Sequence, residues 1–153
     1  MTESNPTARR DTAIRSLVDR EPAHAADTYT LVGRGVLAGR EAEGHDRDVL
    51  GKDATYAGYG LRYLLLAALG YRAAGADRRA RLRAREGSAI AADYAGLFDT
   101  DAERACCFEA MGDLRAAAGT DDAGSDAYDR AVKLYRTPEE PDPPPRASEP
   151  LFE

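Results

Sequence analysis

Residues Ala105–Tyr135 read ACCFEAMGDLRAAAGTDDAGSDAYDRAVKLY, and this stretch decides the fold. It divides at Gly119 into two helical halves. Thr100 and Glu103 form a Thr-x-x-Glu capping box that opens the first half, and Gly119 closes it. Asp121 or Asp122 begins the second, where a negative charge suits a helix N-terminus, and that helix ends before Pro138. Gly112 and Ala131 are small where two antiparallel helices would cross, with Phe108 and Tyr128 filling the gaps beside them.

Working upstream, the same pattern recurs more loosely. Asn5-Pro6 predicts a helix start, Ile14, Leu17 and Val18 give it an apolar face, and Pro22 stops it after Arg20. A second helix is expected over His24–Glu43, carrying Tyr29, Leu31, Val32, Val36 and Leu37, with Gly35 and Gly39 placed to admit a close neighbour. Gly44–Lys52 is a polar connector. Asp53 caps a third helix to Ala74, with Gly75 as its stop. Leucines at 61, 64, 65, 66 and 69 wrap that helix nearly all round, which predicts a central element packed on several sides. A fourth helix over Asp77–Leu97 has a small-residue stripe at Ala80, Ala84, Gly87, Ala91 and Tyr94. No segment sustains period-two alternation, so no sheet is predicted.

Phe108-x2-Met111-Gly112, then Gly119, then Gly124-x3-Tyr128 and Ala131 resemble one tetratricopeptide unit, a helix-turn-helix of about 34 residues. Leu64, Ala67, Ala68 and Tyr71, then Gly75, then Ala80-x3-Ala84 resemble a second. Arg115 stands where the family has an aromatic, and Gly124 where it has alanine. The resemblance implies an all-α fold of about six helices, in antiparallel hairpins stacked as a short right-handed array. Its repeat-like units are residues 61–97 and 103–136, inside one domain of residues 1–136. An alanine-rich helical bundle without kinship shares these features, so both architectures stay open here.

The resemblance also implies a concave groove lined by the first helix of each hairpin. Carried across, the groove positions are Arg62, Leu65, Leu69 and Arg72 on one wall, and Cys106, Glu109 and Asp113 on the other. One wall is cationic and apolar and the other acidic, which suits an extended peptide bearing both charges. The function expected from this is a protein–protein interaction scaffold or adaptor.

Composition agrees with a non-chemical role. A formal charge of −6 opposes general nucleic-acid affinity. Arginine supplies nearly all the cations, lysine occurring only at Lys52 and Lys133, as in GC-rich or salt-loving microbes. The polar start shows no signal pattern, which predicts a cytoplasmic protein, and the most apolar run, Tyr63–Tyr71, is about half of the roughly 20 residues that span a bilayer.

Candidates for chemistry read as packing or as chance. Cys106 and Cys107 diverge by about 100° on a helix, which forbids a bond between them. His24 and His45 are too few to complete a zinc site. Arg40 and His45 fit an Arg-x4-His pattern of some helical ribonucleases, but at a helix end instead of a start. Gly33-x-Gly35-x3-Gly39 is not a dinucleotide fingerprint, and Gly51-Lys52 lacks the rest of a phosphate loop. No catalytic residue, cofactor or metal is expected, and no enzyme.

Two features remain. Arg78, Arg79, Arg81, Arg83 and Arg85 form a basic run whose readings are a solvated face, a dock for an acidic partner or this chain's own acidic residues Glu139, Glu140 and Asp142, or, as the alternative function, a nucleic-acid surface. Residues 137–153 read TPEEPDPPPRASEPLFE, a composition that predicts a disordered tail. Its apolar pair Leu151-Phe152 has the form of a short docking motif.

Overall fold

A computed structural model describes residues 6–39 and 54–136. The described residues form six helices and no strand: α1 (Pro6–Val18), α2 (Pro22–Leu37), α3 (Ala54–Ala73), α4 (Asp77–Leu97), α5 (Asp101–Ala117) and α6 (Asp121–Tyr135). Each helix packs on the next, and α3 also packs directly on α5. Stacked hairpins give this pattern, with α4 leaving α3 and returning the chain to its side as α5.

The helix stops are written in the sequence. Gly75 and Gly119 adopt φ values of 71° and 74°. The residue after each closes a Schellman motif, Ala76 N–H to the Tyr71 carbonyl at 2.8 Å and Thr120 N–H to the Arg115 carbonyl at 3.0 Å. Arg20 does the same work after α1 without being glycine, at φ 61°. At the start of α5, the Thr100 side chain accepts from the Glu103 N–H at 3.2 Å, and its hydroxyl donates to Glu103 Oε2 at 2.8 Å. The capping box forms, with its return arm ending on the hydroxyl and not on the backbone.

α3 is the central element, as its all-round leucines require. Leu61, Leu65 and Ala68 join a core shared with α4, α5 and α6. Ala67 and Tyr71 join a second core with Ala13 of α1, Ala25, Ala26 and Tyr29 of α2, and Ala80 of α4. The seams are thin because alanine and glycine fill them. A Cβ at Gly33 would lie 3.1 Å from the Gly60 carbonyl oxygen and 3.1 Å from Tyr63 Cβ. On α6, a Cβ at Gly124 would lie 3.3 Å from the Gly112 carbonyl oxygen, which explains glycine where alanine was expected.

Expectations for three helices need correction. α2 begins at Pro22, whose missing N–H costs nothing at a first helical turn, and it ends at Leu37. Gly39 takes a φ of 66° and stops it, so the close approach falls to Gly33 and not to Gly35 and Gly39. On α1, Ile14, Leu17 and Val18 face outward, while Ala13 and Ser16 are the buried residues. On α4 the buried stripe is Ala80, Ala84, Gly87, Ala91 and Ala95, with Tyr94 half-buried and stacked on Phe98 at 5.6 Å between ring centres. Asn5, residues 40–53 with Arg40, His45, the Gly44–Lys52 connector and Asp53, and residues 137–153 with Leu151 and Phe152 lie outside the described residues.

Candidate functional site

The residues assigned to the groove divide between three roles. On α3, Leu69 is 45% exposed and Arg62 half-buried, as a lining face needs, with Tyr59 beside them at 53%. Leu65 is not available: it is 7% exposed and belongs to the core between α3 and α5. A fully apolar side chain on the flank of a helix contact gains more from burial than from lining a wet face. Arg72 reaches across the bundle, its guanidinium 3.4 Å from the carbonyl oxygens of both Ala116 and Ala117. A cation at a helix C-terminus satisfies orphan carbonyls and complements the dipole, so Arg72 ties α3 to α5.

The acidic wall is braced from α6. The Tyr135 hydroxyl donates to Glu109 Oε2 at 2.7 Å and lies 3.2 Å from the Cys106 sulfur. The Tyr128 hydroxyl donates to Asp113 Oδ1 at 2.5 Å. Tyr128 and Tyr135 are seven residues apart, two turns along one face of α6, and each meets a carboxylate one turn from the other on α5. Burial pushes the Asp113 carboxyl above its ordinary range, the charge of Glu109 adds to this, and the Tyr128 hydroxyl opposes it. Burial also raises both phenols, and their carboxylate partners raise them further. Tyr135 has no mark in the sequence reading. The i, i+7 tyrosine spacing opposite Glu109 and Asp113 was the available signal.

The chain matches no protein-family model, no curated protein and no solved structure.

Both cysteines are buried and unbridged. Burial raises the Cys106 thiol, and pushes Cys107 up to about 12 with the charge of neighbouring groups adding to it. A nucleophilic cysteine needs the opposite shift. Among the described residues no three His, Cys, Asp or Glu side chains gather where a metal ion could be held, and no helix is long and apolar enough to cross a membrane.

The basic run is only partly a free surface. Arg79 pairs with Asp27 of α2 at 2.5 Å and lies 4.3 Å over the Tyr71 ring, whose hydroxyl also bonds Asp27. Arg83 pairs with Glu86, and Glu86 in turn takes both arms of Arg34 from α2, at 2.7 and 3.1 Å. Arg78, Arg81 and Arg85 are exposed on α4. The Arg79–Asp27 and Arg34–Glu86 pairs join α4 to α2.

Proposed function

We propose that the chain is a tetratricopeptide-like interaction module that binds an extended peptide segment of a partner protein, and that it performs no chemistry. The observation that carries this reading is the direct packing of α3 on α5. First helices of successive hairpins then share a face, with exposed Leu69, Tyr59 and the Arg62 side chain on α3 and the braced carboxylates Glu109 and Asp113 on α5. Fixed acceptors on α5 and an exposed apolar side chain on α3 would together favour a ligand that pairs a basic residue with an apolar one. Holding the carboxylates in place beforehand lowers the ordering cost of binding.

The Arg78–Arg85 row supports the nucleic-acid alternative less. Two of its five cations are engaged within the fold by Asp27 and Glu86, and no described aromatic is interleaved with them for stacking.

Selection of a displayed random-peptide library on the full chain tests the reading. The expected consensus pairs an apolar residue with a basic one. Leu69→Glu or Glu109→Arg should weaken the selected peptides by about tenfold or more, as loss of an interface anchor does, while Arg81→Glu leaves them unchanged. Peptides indifferent to both changes, or no consensus at all, would remove the groove.

A further inference from the structure

A cleft opens between α2 and α4, with Tyr71 of α3 among its lining residues. Leu31 of α2 and Leu82 of α4 are 59% and 47% exposed, and they form two walls of a cleft of about 370 Å³ that also takes in Tyr71, Arg34, Arg79 and Arg83. That volume falls in the range of ligand clefts, roughly 300–1,000 Å³. Three arginines face it against two described carboxylates, Asp27 and Glu86, which leaves the cleft cationic after its internal pairs are made. Arg78 and Arg85 add to the field, being four residues before and three after Leu82 on the surface of α4.

The chain outside the described residues carries the complement. Residues 149–153 read Glu-Pro-Leu-Phe-Glu, an apolar pair between two carboxylates. The whole 137–153 segment holds Glu139, Glu140, Asp142, Glu149 and Glu153 against Arg146 alone. Glu149 lies thirteen positions after Arg136, a length of chain that spans up to about 40 Å at about 3.1 Å per residue.

We infer that the α2–α4 cleft is the dock for this chain's own C-terminal segment, with Leu151 and Phe152 seated between Leu31 and Leu82 and with Glu149 and Glu153 meeting the arginines around them. Both leucines are exposed in the helical body, so replacing them leaves its packing intact. The surface is separate from the Leu69–Glu109 face, and either can fail without the other.

The test is solution NMR on the full chain. Leu151→Ser/Phe152→Ser should shift the amide signals of Leu31, Arg34, Leu82 and Arg83 and leave those of Leu69 and Glu109 in place. In a separate full-length variant, Leu82→Ser should drop the Phe152 amide order parameter from roughly 0.8 to below about 0.6, the change from ordered to flexible backbone. Both effects should be independent of protein concentration. Unmoved cleft signals, a Phe152 amide that is already flexible in the unaltered chain, or shifts that grow with concentration and so report docking between copies, would each overturn the inference.

Discussion

Gly33 shows how a single missing methyl group sets the distance between two helices. Its neighbours across the α2–α3 seam are the Gly60 carbonyl oxygen and Tyr63 Cβ, each 3.1 Å from where a Cβ would stand. Both belong to or sit on backbone, so neither can swing away. Gly33→Ala should therefore lower stability by about 1–2 kcal/mol, the helix-propensity gain being outweighed by overpacking. Gly96 is the control, because it lies near the end of α4 with nothing within 4 Å. Gly96→Ala should hold or raise stability, by up to about 1 kcal/mol. Urea unfolding followed by circular dichroism measures both, and a stabilised Gly33→Ala would mean the seam is looser than drawn. The sequence pattern marks glycines on α2 but does not say which of them a neighbour meets. That depends on where α3 comes closest, and at Gly60 it is the Leu37 side chain that fills the space a Cβ would take.

At the scale of elements, the stops were more legible than the faces. Gly75 and Gly119 were readable because a left-handed residue after a helix is nearly the signature of glycine. Arg20 was readable as a boundary only through Pro22, and its φ of 61° gives no sign in the sequence. A side chain there costs about 1 kcal/mol or more, so Arg20→Gly should raise the urea midpoint, offset in part by the extra freedom glycine gives the unfolded chain. The reverse change at Gly119, open space on all sides at φ 74°, should cost about 1 kcal/mol as alanine through backbone strain alone. If Arg20→Gly destabilises, the arginine side chain holds something the left-handed turn does not explain. Helix faces were harder to read because alanine counts for little in an apolar pattern, yet here it is what gets buried. Ile14, Leu17 and Val18 outweigh Ala13 by any hydropathy measure and still face outward, since only the small residue allows α1 to approach α2. Leu65 failed as a groove residue for a related reason: α5 packs close enough on α3 to cover it.

Over the whole molecule, tyrosines join helices alongside the Arg34–Glu86, Arg79–Asp27 and Arg72 contacts. Tyr71 donates to Asp27 between α3 and α2, Tyr128 to Asp113 and Tyr135 to Glu109 between α6 and α5, and Tyr29 stacks on Tyr63 between α2 and α3. Burial raises the pKa of Tyr29, Tyr71, Tyr94, Tyr128 and Tyr135 above that of a free phenol, and for Tyr71, Tyr128 and Tyr135 the carboxylate partner adds to it. A group whose folded pKa lies above its unfolded value stabilises the fold fully below the unfolded value, about 10 for tyrosine. That contribution is lost as pH rises toward the folded value. The unfolded chain releases these protons first, so stability should be flat near neutrality and fall steeply above about pH 10, each lost phenol proton steepening the slope. Phenolate absorbance at these five tyrosines should then appear together with loss of helical circular dichroism, in one transition and not in a smooth titration of the intact fold. Tyr128→Phe/Tyr135→Phe removes two of the raised groups along with their hydrogen bonds. The double variant should be less stable at pH 7 by about 1–3 kcal/mol, from two lost bonds of about 0.5–1.5 kcal/mol each, yet lose less of its stability between pH 9 and 11 than the unaltered chain. A double variant with the same alkaline slope would show that these two hydroxyls are not what ties α6 to the stack.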